Sequence, residues 1–325
     1  MKKIAVILED RGTDYDFVIN HANEKGYDCS WIPLENHRDK QATIKALSGI
    51  DAVIAGGQIF DAEVLNALSP SLKIIARFGI GYEHIDMDCA SGLGIAVTNT
   101  PGCMSGGVAD LAISMMLNVG RRLSWFDSKI KAGGWDPRFT GNELEGKTVG
   151  LVGFGSIAQK LARYLTGFDC PVLAYDIRFP KTHGLPNVRQ ADLNTIAAKS
   201  DYVSLHLPLT KETLGLINRD FFNKMKPTAF LINTARGGVV VKKDMIEALR
   251  NRRIAGAALD VFDSEPMPAG SELRHFDNCI FTPHIASYTI ETVKRSAFTA
   301  IDNIDDLFHG RIPRNILNPG YSSEG

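Results

Sequence analysis

Three ionisable side chains stand just beyond three separate apolar runs in the second half of this 325-residue chain. Arg236 follows AFLINTA, Glu265 follows AALDVFDS, and His284 follows CIFTP. Their chemistries are complementary. A guanidinium offers a planar fork of donors that grips a carboxylate bidentately. An imidazole exchanges a proton near neutral pH, and a carboxylate beside it orients the ring and favours its protonated form. Ligands of open α/β sheets bind in the crevice at the carboxyl ends of strands, so separations of 29 and 19 residues do not keep the three apart. Taken singly, each has a plainer reading: Arg236 as a salt-bridge or carbonyl-capping arginine, Glu265-Pro266 as solvated loop, His284 as a helix-start or packing histidine.

A second set of residues could hold a dinucleotide. Val149 to Ala158 reads V-G-L-V-G-F-G-S-I-A, an apolar strand running into G-x-G-x-x-A and a helix. Gly153 permits the tight turn, Gly155 lets backbone approach a pyrophosphate, and Ala158 is small where helix meets strand. The helix opening at Ser156 and Ile157 offers free N–H groups and a positive dipole end to the anion. Asp176 ends the run PVLAY, 23 residues after Gly153. An acid about 20 residues on accepts from the ribose hydroxyls and repels a 2′-phosphate, which favours NAD over NADP. The alternative is a surface aspartate capping a turn, and Arg178 two residues on would blunt the preference.

These residues need strands to deliver them, and the chain supplies β-rich runs from end to end. They are KIAVIL (3–8), DAVIA (51–55), KIIAR (73–77), IAVT (95–98), TVGLV (148–152), PVLAY (171–175), YVSLH (202–206), AFLIN (229–233), AGAALDV (255–261) and CIFTP (279–283). Helix-period segments lie between or after them, including 61–68, 107–121, 156–168, 242–253 and 289–309. Such alternation predicts an α/β fold with parallel sheets buried on both faces. A breaker cluster, Asn99-Thr100-Pro101-Gly102, ends the first four runs, and 125–146 lacks clear periodicity and reads as an arm. The helical segment 289–309 could pack back on the first unit, which would make that unit discontinuous.

Composition narrows the function classes. At roughly 150 residues per domain the length suggests two. A hydrophobic fraction of 44% is too high for a disordered chain. With 36 Lys+Arg against 37 Asp+Glu there is no global field to hold a nucleic acid. No apolar run approaches the roughly 18 residues of a membrane span. The run Ile4–Leu8 is stopped by Glu9, Asp10 and Arg11, short of the about 7–15 residues of an export signal. Five dispersed cysteines with no C-x-x-C pair fit a reducing cytoplasm and offer no metal site.

The motifs together resemble the D-2-hydroxyacid dehydrogenase family, particularly its phosphoglycerate-dehydrogenase-like branch. The resemblance runs from about Ile50 to Leu307 through LKIIARFGIGYEHID, VTNTPG, LEGKTVGLVGFGSIA, YD, HLPLT, LINTARGGVV, AALDVFDSEP and TPHIAS. It implies two parallel-sheet domains, Rossmann-like and flavodoxin-like, with a cleft between them. The substrate domain would be 1–100 completed by 288–325, and the NAD domain 101–287. It implies Arg236 for the substrate carboxylate, Glu265 to orient His284, and His284 as proton donor or acceptor. Cofactor contacts would fall on Thr234, Ala235 and Asp260, with His206 and Thr213 lining the cleft. Substrate contacts would fall on Gly57, Gln58 and Gly79, and the arm at 125–146 would join a homodimer.

Departures from the family pattern bear on substrate. The loop after DAVIA reads Ala55-Gly56-Gly57-Gln58, where phosphoglycerate dehydrogenases carry Arg-Ser-x-Thr. Met104 stands where many members have Asn, and His84 replaces the Asn of D-N-I-D. The loop has no cation for a phosphate, although Arg11 after the first strand could reach it. The expected activity is therefore NAD-dependent interconversion of a small D-2-hydroxy acid and its 2-keto acid. The alternatives are a D-3-phosphoglycerate dehydrogenase without its regulatory domain, an NAD-sensing corepressor-like binding protein, and formate dehydrogenase, which carries Gln in place of Glu265.

Overall fold

The computed structural model describes residues 1–8, 15–36 and 38–321, so Arg11 lies outside the described residues. The first stretch alternates β1 (Lys3–Ile7), α1 (Asp16–Glu24), β2 (Asp28–Trp31), α2 (Lys40–Leu47), β3 (Ala52–Ala55), α3 (Ala62–Leu68), β4 (Ile74–Arg77), α4 (Met87–Gly92) and β5 (Ala96–Thr98). Two helices follow, α5 (Ser105–Arg121) and α6 (Leu123–Lys131). Next come β6 (Val149–Val152), α7 (Ser156–Thr166), β7 (Val172–Tyr175), β8 (Val188–Gln190), α8 (Leu193–Lys199), β9 (Tyr202–Leu205) and α9 (Arg219–Lys224). After them run β10 (Phe230–Asn233), α10 (Lys242–Arg250), β11 (Gly256–Leu259), β12 (Cys279–Phe281) and α11 (Ile290–Phe308).

The chain forms two compact units, residues 1–104 with 289–325, and residues 105–288. The first holds a five-stranded sheet of order β2-β1-β3-β4-β5, the second a seven-stranded sheet of order β12-β11-β10-β9-β6-β7-β8. Every strand pairing in both is parallel. The fold is thus α/β, with two parallel sheets.

Central strands are buried along their whole length, as in Ala52–Ala55 and Val149–Val152, because helices cover both faces. In the first unit Ala297, Ala300, Ile301 and Ile304 of α11 pack with Ile4, Val6, Ile54 and Ile74. Val64, Leu65 and Leu68 of α3 cover the opposite face, over Val53, Ile75 and Val97. In the second unit α7 buries Ala158, Leu161, Ala162 and Leu165, the i, i+3, i+4, i+7 stripe of a one-sided helix. That stripe joins α5 residues over Val149, Leu151 and Ile232. Val152, Leu205 and Leu231 face the other way, with Ile196, Met245 and Leu249.

Two strands and one helix depart from the sequence reading. β2 and β8 are edge strands, and Asp28-Cys-Ser-Trp and Val188-Arg-Gln carry too little apolar sequence to stand out. The arm is helical at its start, since α6 occupies 123–131. None of its residues is buried, so no inward face marks it in the sequence. Among the described residues no helix is long and apolar enough to cross a membrane.

Gly150 sets how closely α8 approaches the second sheet. A Cβ there would lie 2.4 Å from Ser200 Oγ and 2.6 Å from Ile196 Cγ2. Gly150→Ala is expected to cost about 1–3 kcal/mol of unfolding free energy by overpacking. A urea or guanidinium denaturation curve superimposable on wild type would contradict this.

Candidate active site

One row of paired residues crosses the second sheet near its carboxyl edge: Tyr175, Val152, Leu205, Asn233, Leu259 and Phe281, on β7, β6, β9, β10, β11 and β12. The next residue on each strand is Asp176, Gly153, His206, Thr234, Asp260 and Thr282. Parallel pairing therefore brings residues up to 129 positions apart to one edge, where such sheets bind ligands.

The β6 side of this edge is shaped by glycine. Gly153 has φ +94°, and a Cβ there would sit 2.7 Å from the carbonyl oxygen of His206. Gly155 is the residue before α7 and caps it with no side chain, and a Cβ on it would meet nothing within 4 Å. The first N–H groups of α7, at Ser156 and Ile157, thus open onto free space with the positive end of the helix dipole behind them. The Asp176 carboxylate accepts from the Phe154 N–H at 2.7 Å and from the Arg178 N–H at 2.8 Å, leaving lone pairs for further donors.

Two buried polar atoms on the neighbouring strand ends have no hydrogen-bond partner, His206 Nε2 and Thr234 Oγ1. Burial pushes the His206 imidazole down to about 4, so the ring is neutral at pH 7. Buried polar groups are normally satisfied, and unsatisfied ones next to an open glycine turn are what a bound polar ligand would complete. The open space at Gly155, the uncapped helix end and these two atoms together fit a dinucleotide. Thr213 differs: its hydroxyl donates to the Pro208 carbonyl at 2.6 Å and accepts from the Thr210 N–H at 2.8 Å, holding its own turn.

On the other side of the row lie Arg236, Glu265 and His284. Asn233, buried at the end of β10, accepts from the Ala235 N–H and donates to the Arg236 carbonyl, each at 3.0 Å, which fixes the turn carrying Arg236. The Arg236 guanidinium donates to the Ala235 carbonyl at 2.8 Å. Glu265 Oε2 lies 2.7 Å from His284 Nδ1, and Glu265 Oε1 accepts from the Phe262 N–H at 2.9 Å. Burial alone would raise the Glu265 carboxyl. The hydrogen bonds from His284 and Phe262 and the charges of His284 and Arg236 outweigh that and hold it below the usual glutamate value. His284 itself has φ +55°, a left-handed conformation uncommon outside glycine.

Asp260 is fully buried and engaged by the His284 loop. Neither Asn233 nor Thr282 stands out in the sequence as a site residue, although each adjoins one, in N-T-A-R and T-P-H. Among the described residues no group of three His, Cys, Asp or Glu side chains could hold a metal ion.

In the first unit the expected substrate residues lie at the carboxyl ends of β3 and β4. A Cβ at Gly57 would meet nothing within 4 Å, so that backbone is open. Gln58 is only 2% exposed; its Nε2 donates to the Ile7 carbonyl at 2.6 Å, while its Oε1 is buried without a hydrogen-bond partner. Gly79 has φ +135° and donates its N–H to Thr100 Oγ1 at 2.9 Å. A cation does stand at this edge: the Arg77 guanidinium reaches the carbonyls of Ala55, at 3.4 Å, and Phe78. It comes from the neighbouring strand, out of sight of the Ala55–Gln58 pattern.

Residues 113–286 match the family described as D-isomer specific 2-hydroxyacid dehydrogenase, NAD binding domain. A glyoxylate reductase of Thermofilum pendens is 45% identical over 292 residues, spanning 88% of this chain and 83% of that protein. A hydroxypyruvate reductase of Thermotoga maritima is 38% identical over 273 residues, spanning 82% and 88%. Among solved structures, a protein of Thermus thermophilus superposes with a TM-score of 0.87 at 34% identity, over 97% of this chain and 99% of that one. Likeness that runs through both units, and not only through the glycine turn, makes this chain a member of the D-2-hydroxyacid dehydrogenase family and an NAD-dependent oxidoreductase.

Proposed function

We propose that the enzyme uses NADH to reduce a small, unphosphorylated 2-keto acid, glyoxylate and hydroxypyruvate being the first candidates. The observation that carries this reading is the 2.7 Å contact of His284 Nδ1 with Glu265 Oε2, with the Arg236 charge acting on the same carboxylate. The names of the two relatives above support the substrate class.

When bound, the nicotinamide supplies the hydride that goes to C2 of the keto acid. Arg236 holds the substrate carboxylate through its guanidinium N–H pair. Glu265 keeps Nδ1–H of His284 engaged, which leaves Nε2–H to protonate the carbonyl oxygen as it becomes an alkoxide. One hydride and one proton complete the hydroxy acid, and the neutral imidazole regains its proton from water. The N–H groups at Gly155, Ser156 and Ile157 would take the pyrophosphate, with Gly153 making the turn and Asp176 the ribose hydroxyls. Thr234, Ala235 and His206 would face the rest of the dinucleotide.

The arm supports a homodimer. α6 buries no residue of its own, and Leu123, Ile130 and Trp135 are exposed there, a surface that a second copy would cover. A D-3-phosphoglycerate dehydrogenase is favoured by one observation, the Arg77 guanidinium at the substrate edge. Its hydrogen bonds to two backbone carbonyls weigh against it as a phosphate partner. A buried dianion without a cation to meet it loses several kcal/mol of hydration.

Four measurements test the reading. Asp176→Ser should weaken NADH binding and narrow the gap to NADPH, and wild type that used NADPH more efficiently would contradict the assignment. His284→Ala should lose about 10² to 10⁴ in keto-acid reduction with NADH binding kept. Glu265 is ionised through neutral pH, so Glu265→Gln removes a charge that stabilises imidazolium. Reduction needs the protonated ring, so its alkaline fall-off should move to lower pH, and an unmoved profile would remove Glu265 from this role. Finally, kcat/KM for glyoxylate and hydroxypyruvate should exceed that for 3-phosphohydroxypyruvate. The reverse order would overturn the substrate class and make Arg77 the residue to mutate, while NADH binding without turnover of any of these would mark a binding protein.

A further inference from the structure

Asp260 and Thr282 form a closed set of contacts around the base of the His284 loop. The Asp260 side chain is 0% exposed, yet three donors converge on it. Thr282 Oγ1 donates to Oδ1 at 2.6 Å, the Ile285 N–H donates to the same oxygen at 2.9 Å, and the Ala286 N–H donates to Oδ2 at 3.0 Å. The Asp260 main chain joins in, its carbonyl accepting from the His284 N–H at 2.9 Å and its N–H donating to the Asn233 carbonyl at 2.9 Å. Thr282 is tied down in turn, its N–H donating to the Leu259 carbonyl at 3.0 Å.

One aspartate thus receives the N–H of three consecutive residues, 284, 285 and 286, and that is the segment in which His284 is left-handed. A donor set of this kind strengthens each member, since hydrogen bonds to a buried carboxylate are charge-assisted. The loop has no regular secondary structure to hold it, so the carboxylate takes that role. The hydroxyl of Thr282 is the only side-chain donor among the three described contacts, and it fixes which way the carboxylate faces.

We infer that Thr282 is a positioning residue for the reaction: through Asp260 it locks the loop that presents His284, and it touches neither substrate nor cofactor. The inference rests on the reading of His284 as proton donor. A loosened loop lets the ring leave its productive placement, and a misplacement far smaller than a side chain is costly in rate while leaving ground-state binding nearly intact. Losing one hydrogen bond to a charged group corresponds to about a tenfold effect or more.

The test compares Thr282→Val, which keeps the shape and removes the hydroxyl, with Thr282→Ser, which keeps the hydroxyl. For Thr282→Val, kcat for keto-acid reduction should fall about tenfold. KM for the keto acid and the NADH Kd from fluorescence titration should stay within about twofold. Thr282→Ser should restore the rate. Wild-type kcat in Thr282→Val would overturn the inference, as would equal loss in both variants, which would show that keeping the hydroxyl does not keep the rate. A parallel loss of NADH affinity would also overturn it, by showing that the carboxylate serves the cofactor. Full activity in His284→Ala would instead sink the underlying reading, so the two failures are distinguishable.

Discussion

The register of the parallel strands in the second sheet is the constraint on which the site depends. Because Val152, Leu205, Asn233, Leu259 and Phe281 are paired in one row, the residue after each is delivered to the same edge without any of them being close in sequence. A strand has a period of two, so a slip of one residue would turn Val152 and Gly150 out of their face and carry Gly153 away from the His206 carbonyl. The same burial that fills the core from both sides therefore fixes the geometry of the edge.

Polar groups at that edge divide into satisfied and unsatisfied, and the division has a chemical meaning. Asn233 and Asp260 use their side chains on backbone N–H and carbonyl groups, which makes the turns behind Arg236 and His284 rigid. His206 Nε2 and Thr234 Oγ1 are buried without partners just beyond strands β9 and β10, between the glycine turn and the ionisable trio. Rigid support lies under the turns that carry Arg236 and His284, and unmet hydrogen-bonding capacity lies beside the glycine turn.

Much of this is legible in the sequence, for reasons that also explain what is not. The central strands announce themselves because both faces are covered, so that AVIA or VGLV has no polar position to interrupt it. Gly153 and Asp176 are visible because a glycine turn with an acid about 20 residues on is a recognisable spacing. The edge strands β2 and β8 escape notice because half of each faces water, and α6 because none of it faces inward. The part played by Thr282 is illegible for a different reason. Its partner, Asp260, is 22 residues away, and nothing local distinguishes a threonine that clamps a carboxylate from one that starts a loop. Gln58 adds what only packing reveals: its Nε2 is anchored on the Ile7 carbonyl while its Oε1 is buried without a partner.

The first unit is assembled from both ends of the chain, and this gives its folding an order in time. All five strands of its sheet have been synthesised by residue 98, but Ile4, Val6, Ile54 and Ile74 share a core with side chains at 297–304. On a ribosome adding about 5–20 residues per second, that face waits for about 10–40 seconds with Val18 and Ala22 of α1 on it but without α11. The second unit, whose residues are contiguous from 105 to 288, has everything it needs before α11 emerges. The nascent chain thus carries a partly covered apolar sheet face through most of its synthesis, a period in which a chaperone has a defined surface to protect.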